Sequence, residues 1–470
     1  MPANEWKYLK VEKLFHTFDY ILNFPTSSDP LIMTGPNGYG KTTLLETINA
    51  LVHEDYLYFW TLPFKSILLG FGTYEISINR DLDIESKEVK SDGSLTERLT
   101  VTFSYRNTAS ENNQPVNALI LDRTLMGNLA KLLDGFDSDN LVVEGNNLKT
   151  KANEIIRKTP ELAEYQILLR QMKVVFVPAE RLRQLTLSKS EMDSIRSMTY
   201  SLQIAISRLE RSTRNNNNLD DLLGLSDGQE RTPVEETILK LSRKLKETMG
   251  EARQSYSRLV ETNNKRLIER MLSNDHKSIS YEEYISKTEM LRSRYSLLQR
   301  FDLIDELQFI DFVESNAPHL KTYLDIVEEN LRSYDSLTSR LQIFLDWIER
   351  NQFRGKTISA SMQSGLIAIE DTTKSYIPLT RLSSGEKHEI ILAYWLAFEV
   401  PDGSLLLIDE PELSLHVAWQ IKFIPELRAI AERKQLISIV ATHAPFIINE
   451  QWDKTVDLEL LDRSSQNIDD

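Results

Sequence analysis

The sequence predicts an α/β fold: a mixed sheet with an antiparallel β-lobe, interrupted by an inserted helical arm. Three observations support this. A glycine-rich stretch at residues 35–43 lies between an apolar strand-like run and a helical pattern. Two further apolar runs, at residues 405–408 and 436–440, end in polar residues. Between these regions, residues 231–351 repeat apolar positions every three to four residues, as long helices do.

The N-terminal part of the chain predicts the antiparallel β-lobe. Residues 6–24 alternate between polar and apolar side chains, which is typical of two antiparallel strands. Further strands are expected at residues 67–72, 74–78 and 99–105, and the charged stretch 81–97 is expected to be a solvated hairpin or loop. We expect these strands to lie beside the glycine-rich stretch.

The glycine-rich stretch has the pattern of a phosphate-binding loop. It reads Gly-Pro-Asn-Gly-Tyr-Gly-Lys-Thr-Thr, a glycine and four free positions followed by Gly-Lys-Thr. Glycines let the backbone turn tightly, so that its N–H groups surround an anion. Lys41 is expected to reach the β- and γ-phosphates, and the Thr42 hydroxyl to ligate Mg²⁺. The predicted ATP-binding residues here are Asn37, Gly38, Gly40, Lys41, Thr42 and Thr43.

Composition restricts the possible functions. The chain has 470 residues, 41% apolar and 27% charged, as in ordinary globular proteins of two or three lobes. It has no cysteine, which excludes disulfides, thiolate nucleophiles and cysteine zinc sites. No run approaches the roughly 20 apolar residues that span a bilayer, so we expect a cytoplasmic protein without a membrane partner. A net charge of −15 argues against non-specific coating of nucleic acid.

Two later strands are predicted to bring acidic and histidine side chains to the nucleotide. Asp409 and Glu410 follow the apolar run 405–408. Asp409 is expected to hold Mg²⁺ through water, and Glu410 to act as the general base. His443 follows the run 436–440 and is suited to hydrogen-bond the γ-phosphate and the attacking water.

Two other stretches are candidate parts of the site. The turn Ser383-Ser384-Gly385 precedes a helical pattern and is expected to present a second anion-binding helix end. Residues 173–177 predict a buried strand, and Glu180 and Arg181 follow it. Because ligands bind at the carboxyl edge of an α/β sheet, these two are candidate site residues; a surface ion pair is the alternative.

Together these motifs resemble those of the ABC-type ATPase heads of the SMC and OLD families. The matching stretches are GPNGYGKTT, LSSGEKHE, LLLIDEPELSLH and ATHAP. The resemblance implies a P-loop ABC-type ATPase head, in which Ser383 and Gly385 belong to the signature motif and residues 413–416 to the D-loop. It assigns Asp409 and Glu410 to the Walker B motif and makes His443 the switch histidine. No glutamine takes the Q-loop position, because Gln171 precedes a strand rather than following one.

The same resemblance implies a head-to-head dimer. In such heads the signature turn does not reach the phosphate loop of its own chain. ATP would therefore lie between Lys41 of one subunit and Ser383 of another, and the dimer would form part of a larger homo-oligomer.

A narrower resemblance comes from the layout of the chain. Lys41 and Ser383 are 342 residues apart, more than in transporter ATPases, whereas the helical arm is far shorter than SMC coiled coils. OLD-family proteins continue into a Toprim nuclease domain, but this sequence ends 27 residues after His443. We therefore expect any effector nuclease or toxin to be a separate protein.

The chain is similar to stand-alone ATPases encoded beside Toprim-type effectors, such as the AriA-type subunits of bacterial PARIS anti-phage defence systems. That family assembles as oligomers, holds its effector inactive and releases it on sensing a phage-encoded trigger protein. Two alternatives remain open: a Septu-type ATPase paired with an HNH nuclease, and an SMC-like DNA-processing or repair ATPase.

The predicted domains follow from the motif positions. Residues 1–210 form the first half of the head, residues 211–352 a short coiled-coil arm, and residues 353–470 the second half. The arm is polarised: residues 241–300 carry 13 Lys/Arg and 8 Asp/Glu, and residues 301–330 carry 1 and 8. Either the two halves neutralise each other, or the basic half contacts nucleic acid or an acidic protein.

Overall fold

The structure is a computed structural model that describes residues 5–89, 95–110, 114–132, 146–178, 232–272, 278–305, 309–351, 353–413 and 417–466. The chain forms two compact units, Met1–Leu182 with Val400–Asp470, and Arg183–Glu399. Residues 353–399, predicted from the sequence to belong to the second half of the head, lie in the second unit. Among the described residues, no helix is both long and apolar enough to cross a bilayer.

The strands and helices are numbered in chain order. The strands are β1 Trp6–Leu14, β2 Phe18–Asn23, β3 Leu31–Thr34, β4 Ser66–Phe71, β5 Tyr74–Val89, β6 Leu95–Asn107, β7 Val116–Leu121, β8 Val174–Val177, β9 Lys356–Ser361, β10 Gly365–Glu370, β11 Tyr376–Ile377, β12 Leu405–Asp409, β13 Ile437–Ala441 and β14 Thr455–Asp457. The helices are α1 Lys41–Val52, α2 Tyr56–Thr61, α3 Arg123–Leu132, α4 Asn146–Arg157, α5 Ala163–Gln171, α6 Pro233–Leu272, α7 Tyr281–Gln299, α8 Ala317–Leu331, α9 Asp335–Asn351, α10 Ser384–Tyr394, α11 Val417–Lys434, α12 Pro445–Ile448 and α13 Leu458–Gln466.

The first unit contains the expected antiparallel sheet, with strand order β2-β1-β4-β5-β6-β7. The strand pair expected over residues 6–24 is confirmed, since β1 and β2 pair antiparallel. The loop alternative for residues 81–97 is wrong, because β5 and β6 continue into this stretch and pair with each other. Paired strands tolerate charged side chains that face solvent, because their backbone groups still hydrogen-bond to each other. A high content of charged residues therefore did not distinguish a loop from paired strands in this stretch.

The first unit also contains a five-stranded parallel sheet, with strand order β14-β3-β13-β12-β8. The strand before the phosphate loop, β3, and the strand that ends in Asp409, β12, flank β13, which leads to His443. Because the strands are parallel, their carboxyl ends meet at one edge, where such sheets bind ligands. The sheet therefore brings the three predicted chemical segments together.

Helix α1 is held in the core of the first unit. Leu44, Leu45 and Ile48 recur on one face and are almost completely buried. They belong to one apolar cluster with side chains of both sheets, including Ile67 and Leu407. Burial of such a side chain contributes about 1.5–3 kcal/mol, so the helix that carries Lys41 and Thr42 is firmly anchored.

The second unit combines helices α6–α10 with the antiparallel sheet β11-β10-β9. Helices α6 and α8 are joined by a buried hydrogen bond of 2.8 Å between Asn263 and Asn330. Helix α6 also contacts the β9–β10 turn at Gly365, whose φ is +74° and where a Cβ would lie 2.1 Å from the Ser242 carbonyl oxygen. Only glycine satisfies both constraints.

Some basic residues of the helical region are paired with acidic residues of the same unit, at positions 325 and 328 of the acidic half and at 335 and 349 beyond it. Helix α7, from the basic half, forms ion pairs with acidic residues of α8 and α9. These pairs are Lys287 with Asp325 and Glu328, Arg294 with Asp335, and Arg300 with Glu349. Exposed pairs contribute only about 0–1 kcal/mol each, but they favour mutual neutralisation over a free basic face.

Candidate functional site

The phosphate loop connects β3 to α1 and adopts a backbone that glycine alone adopts easily. Gly38 has φ +89° and Gly40 has φ +82°. A Cβ on Gly40 would also lie 2.9 Å from Leu14 Cδ2. Asn37 and Gly38 are exposed, and α1 begins directly after Gly40. The loop therefore leaves the N–H groups at the start of α1 facing the site of an anion.

The antiparallel sheet supports this loop from one side. The Tyr20 hydroxyl donates a 2.9 Å hydrogen bond to the Tyr39 carbonyl oxygen. The centroids of the Phe18 and Tyr39 rings lie 5.1 Å apart, so Phe18 also packs against the loop. Phe15 is exposed at the β1–β2 turn, beside Gly40.

Lys41 is 6% exposed and folds back onto its own loop. Its Nζ donates to the carbonyl oxygens of Gly35, at 2.8 Å, and Pro36, at 3.2 Å. Burial lowers the pKa of Lys41, while the carboxylates of Glu410, Asp409, Glu412 and Asp457 act in the opposite direction. The carboxylates at the carboxyl edge of the sheet therefore favour the charged form of Lys41, against the effect of burial.

Thr42 joins the loop to β12. Its Oγ1 donates a 2.8 Å hydrogen bond to Asp409 Oδ2, across 367 positions of sequence. Asp409 is 2% exposed, and its Oδ1 has no hydrogen-bond partner in the described part of the chain. Burial raises the pKa of Asp409 to about 6, and the Glu410 carboxylate adds to the rise while Thr42 opposes it.

The Thr42 and Asp409 pair fits a bound Mg²⁺. A buried carboxylate oxygen without a partner costs about 1–3 kcal/mol, which a cation would offset. Hydroxyl and carboxylate oxygens are the ligands that Mg²⁺ prefers, and Mg²⁺ in such sites takes one or two protein oxygens plus phosphates and water. Among the described residues, no group of three or more His, Asp or Glu side chains is arranged to hold a metal.

Glu410 occupies an unusual backbone conformation at the end of β12. Its φ is +44°, in the left-handed region, and its N–H donates a 2.8 Å hydrogen bond to the Ala441 carbonyl oxygen. A residue other than glycine in such a conformation costs about 1–3 kcal/mol and is found mostly at functional sites. The neighbouring strand β13 holds Glu410 in this conformation.

His443 follows β13, and its side chain is exposed. Its backbone N–H donates a 2.9 Å hydrogen bond to Glu412 Oε1, and Thr442 Oγ1 donates at 2.8 Å to Glu412 Oε2. Glu412 was not among the predicted site residues. Its position two residues after Glu410, in Asp-Glu-Pro-Glu, was the available signal.

The predicted signature turn lies in the second unit, at the start of α10. Ser383 is the N-cap: its Oγ accepts from the Glu386 N–H at 3.3 Å, and Glu386 Oε2 accepts from the Ser383 N–H at 2.8 Å. Ser384 is exposed, and Gly385 follows it in the first turn. The Ser383 hydroxyl accepts in this cap, so its own hydrogen stays free to donate.

Lys356 fixes this cap. Its Nζ contacts both Glu386 carboxylate oxygens, at 2.9 and 3.0 Å. Burial alone would raise the pKa of Glu386, but hydrogen bonds from Lys356 and Ser383 outweigh it and lower the pKa. This contact was not predicted, because it joins α10 to β9, which are distant segments of the sequence.

We expect Lys356→Met to lower the stability of the protein by about 1–2 kcal/mol at neutral pH, since a charged hydrogen bond is lost. Because folding lowers the pKa of Glu386, this stabilisation is present above its unfolded pKa and is lost as the pH falls through the folded value. Denaturant unfolding of both proteins from pH 7 to pH 3 measures the difference, which should shrink toward acid. Lys246→Met, at an exposed position of α6, is the control. A difference that does not vary with pH would contradict the assigned pairing.

Some predicted residues lie outside the described ranges. They are Glu180, Arg181 and residues 414–416 of the predicted D-loop. The strand before Glu180 is confirmed: β8 pairs parallel with β12, with Val177 opposite Ile408.

Comparison with known proteins gives one clear family match. No curated protein sequence matches the chain. Among solved structures, it shows similarity to an Smc head bound to the C-winged-helix domain of ScpA, with 10% identity over 96% of this chain and 93% of that one and a TM-score of 0.33.

A second similar structure is the Smc head domain with an extended coiled coil, bound to the C-terminal domain of ScpA and derived from Pyrococcus furiosus. It has 13% identity over 100% of both chains and a TM-score of 0.32. TM-scores this low do not establish a shared fold.

A model of the AAA ATPase domain matches residues 27–448. This match spans most of the chain, and the protein therefore belongs to the AAA ATPase domain family.

Proposed function

We propose that the protein binds and hydrolyses ATP with Mg²⁺ at a site that a second copy completes, and that it is the regulatory subunit of a bacterial anti-phage defence system. In this role it would sense a phage-encoded protein and control a separate Toprim-type effector nuclease. The observation that carries the ATPase part is the Thr42–Asp409 contact, together with the buried Asp409 Oδ1, which has no hydrogen-bond partner among the described residues.

Each predicted site residue of the first unit has a proposed role in hydrolysis. When ATP binds, the Lys41 ammonium group would leave the carbonyl oxygens of Gly35 and Pro36 and donate to phosphate oxygens instead. Hydrogen bonds to a charged acceptor are stronger than those to a neutral carbonyl, which favours this exchange. Thr42 and Asp409 would hold Mg²⁺, which when bound offsets the charge of the phosphates. Glu410 accepts the proton of the attacking water, and His443 hydrogen-bonds the γ-phosphate.

Completion by a second copy rests on the ABC-type resemblance and on exposed groups. Ser383, Ser384 and Gly385 expose a capped helix start that is suited to a phosphate. In the first unit, Leu413 is 43% exposed and Phe446 is 53% exposed, each within three residues of Glu410 or His443. Exposed apolar side chains next to a site are typical of surfaces that another protein covers.

The defence role rests on the resemblance to AriA-type ATPases rather than on a contact. The ion pairs of α7 support it indirectly, since they engage Lys287, Arg294 and Arg300 with acidic residues of the same unit. An SMC-like DNA-processing ATPase would need such basic residues free for phosphates.

Complementation between two inactive variants tests the composite site. Lys41→Ala removes one half of each site and Ser383→Arg blocks the other, so each variant alone should hydrolyse no ATP. When the two are co-expressed with different tags, half of the random dimers carry one intact site, and about a quarter of wild-type activity should return. A mixture no more active than its components would contradict a site shared between copies.

A further inference from the structure

We infer that Glu412 is a positioning residue: it holds the backbone on both sides of His443 and couples this histidine to the segment that follows β12. The inference rests on the proposed role of His443 in ATP hydrolysis. It concerns contacts that lie wholly within the first unit.

The Glu412 carboxylate is engaged on both oxygens. Oε1 accepts from the His443 backbone N–H at 2.9 Å, and Oε2 accepts from Thr442 Oγ1 at 2.8 Å. Thr442 is fully buried, and its Oγ1 also accepts from the Ala444 N–H at 3.0 Å. Hydrogen bonds thus hold Thr442, the backbone N–H of His443 and the backbone N–H of Ala444 in place. The exposed imidazole therefore projects from a fixed backbone.

Glu412 is itself fixed to the end of β12. The Leu413 N–H donates to the Glu410 carbonyl oxygen at 3.2 Å, and Gln420 Nε2 of α11 donates to the Glu412 carbonyl oxygen at 3.2 Å. A continuous set of hydrogen bonds therefore runs from the segment that carries the proposed base to the loop that carries His443. A second copy that contacts the exposed Leu413 would act on His443 through Glu412.

The same contacts separate the roles of two neighbouring glutamates. Hydrogen bonds tie both Glu412 oxygens to the Thr442–His443 segment, which suits a positioning role. The Glu410 side chain makes no hydrogen bond to any described residue, and it remains the candidate base. Glu412 acts through His443, and Glu410 acts on the water.

A double-mutant cycle tests the coupling. We expect Glu412→Ala to lower kcat by about ten- to a hundredfold through misplacement of His443, with the KM for ATP nearly unchanged. Glu412→Gln, which keeps one acceptor oxygen, should give a smaller loss. In the His443→Ala background, Glu412→Ala should cause no further loss, because the group it positions is gone. Glu450→Ala, at an exposed position of the same unit, is the control and should match the wild type.

The outcomes are separable. A full additional loss on adding Glu412→Ala to His443→Ala would overturn the positioning role, as would wild-type kcat in Glu412→Ala. Wild-type hydrolysis in His443→Ala would instead overturn the proposed role of His443 itself. Because Glu412→Gln preserves the shape of the side chain, an equal loss of kcat and melting temperature in both Glu412 variants would show a purely structural role.

Discussion

Lys41→Ala should abolish ATP binding while leaving the fold intact. The ammonium group is the only cationic partner that the phosphate loop offers in the motif, and charged hydrogen bonds of this type contribute about 1.5–3 kcal/mol each. Loss of two or more such bonds raises the Kd for ATP at least about 100-fold. Within the part of the chain that the structure describes, Lys41 Nζ donates hydrogen bonds to the carbonyls of Gly35 and Pro36 of its own loop, so its removal breaks no hydrogen bond to a distant segment.

Titration with a fluorescent ATP analogue measures this loss, and thermal unfolding without nucleotide checks the fold. Lys7→Ala, on the exposed side of β1, is the control and should bind normally. In cells, the Lys41 variant should lose any protection against phage in a plaque assay, whereas the Lys7 variant should keep it. Undiminished affinity in Lys41→Ala would place the nucleotide elsewhere.

Glu410→Gln should trap the protein with ATP bound. The amide no longer accepts a proton from water, which should lower hydrolysis by about 10²- to 10⁴-fold. The substitution also removes one negative charge beside the phosphates, so ATP should bind at least as tightly. Since the side chain keeps its shape, the left-handed backbone at φ +44° and the bond to Ala441 should persist.

Light scattering on a size-exclusion column, with ATP and then with ADP, measures the trapped assembly. We expect a stable dimer or larger oligomer with ATP alone. Glu450→Gln is the matched control. Unchanged hydrolysis in Glu410→Gln would rule out Glu410 as the base, and a trapped but monomeric variant would rule out the shared site.

The sequence predicted the parts of the site whose chemistry is local. The phosphate loop is a contiguous motif, and Asp409, Glu410 and His443 each come after a largely apolar stretch of four or five residues, so the sequence indicated both the strand ends and the side-chain types. The structure brings Lys41 and Asp409 to one sheet edge, as the parallel arrangement requires.

The contacts that the sequence did not reveal are those that join distant segments. Glu412 hydrogen-bonds to Thr442 and His443, about 30 positions away in the sequence. Lys356 of β9 forms an ion pair with Glu386 of α10, also about 30 positions away. A pattern in one segment does not indicate the partner that tertiary packing places beside it. Strand β7 and helix α3 were likewise missed, because their stretch, residues 106–150, shows no clear period.

The order of the parallel sheet has a consequence for synthesis. Among the described strands, β3 pairs with β13 and β14, and β8 pairs with β12, so each of these pairings needs a strand after residue 404. The antiparallel sheet, by contrast, is complete by Leu121. On the ribosome, the phosphate loop therefore emerges hundreds of residues before the strand that must hold it. Long-range pairing of this kind is slow, so the phosphate loop waits for its sheet partners until β12 and β13 have been synthesised.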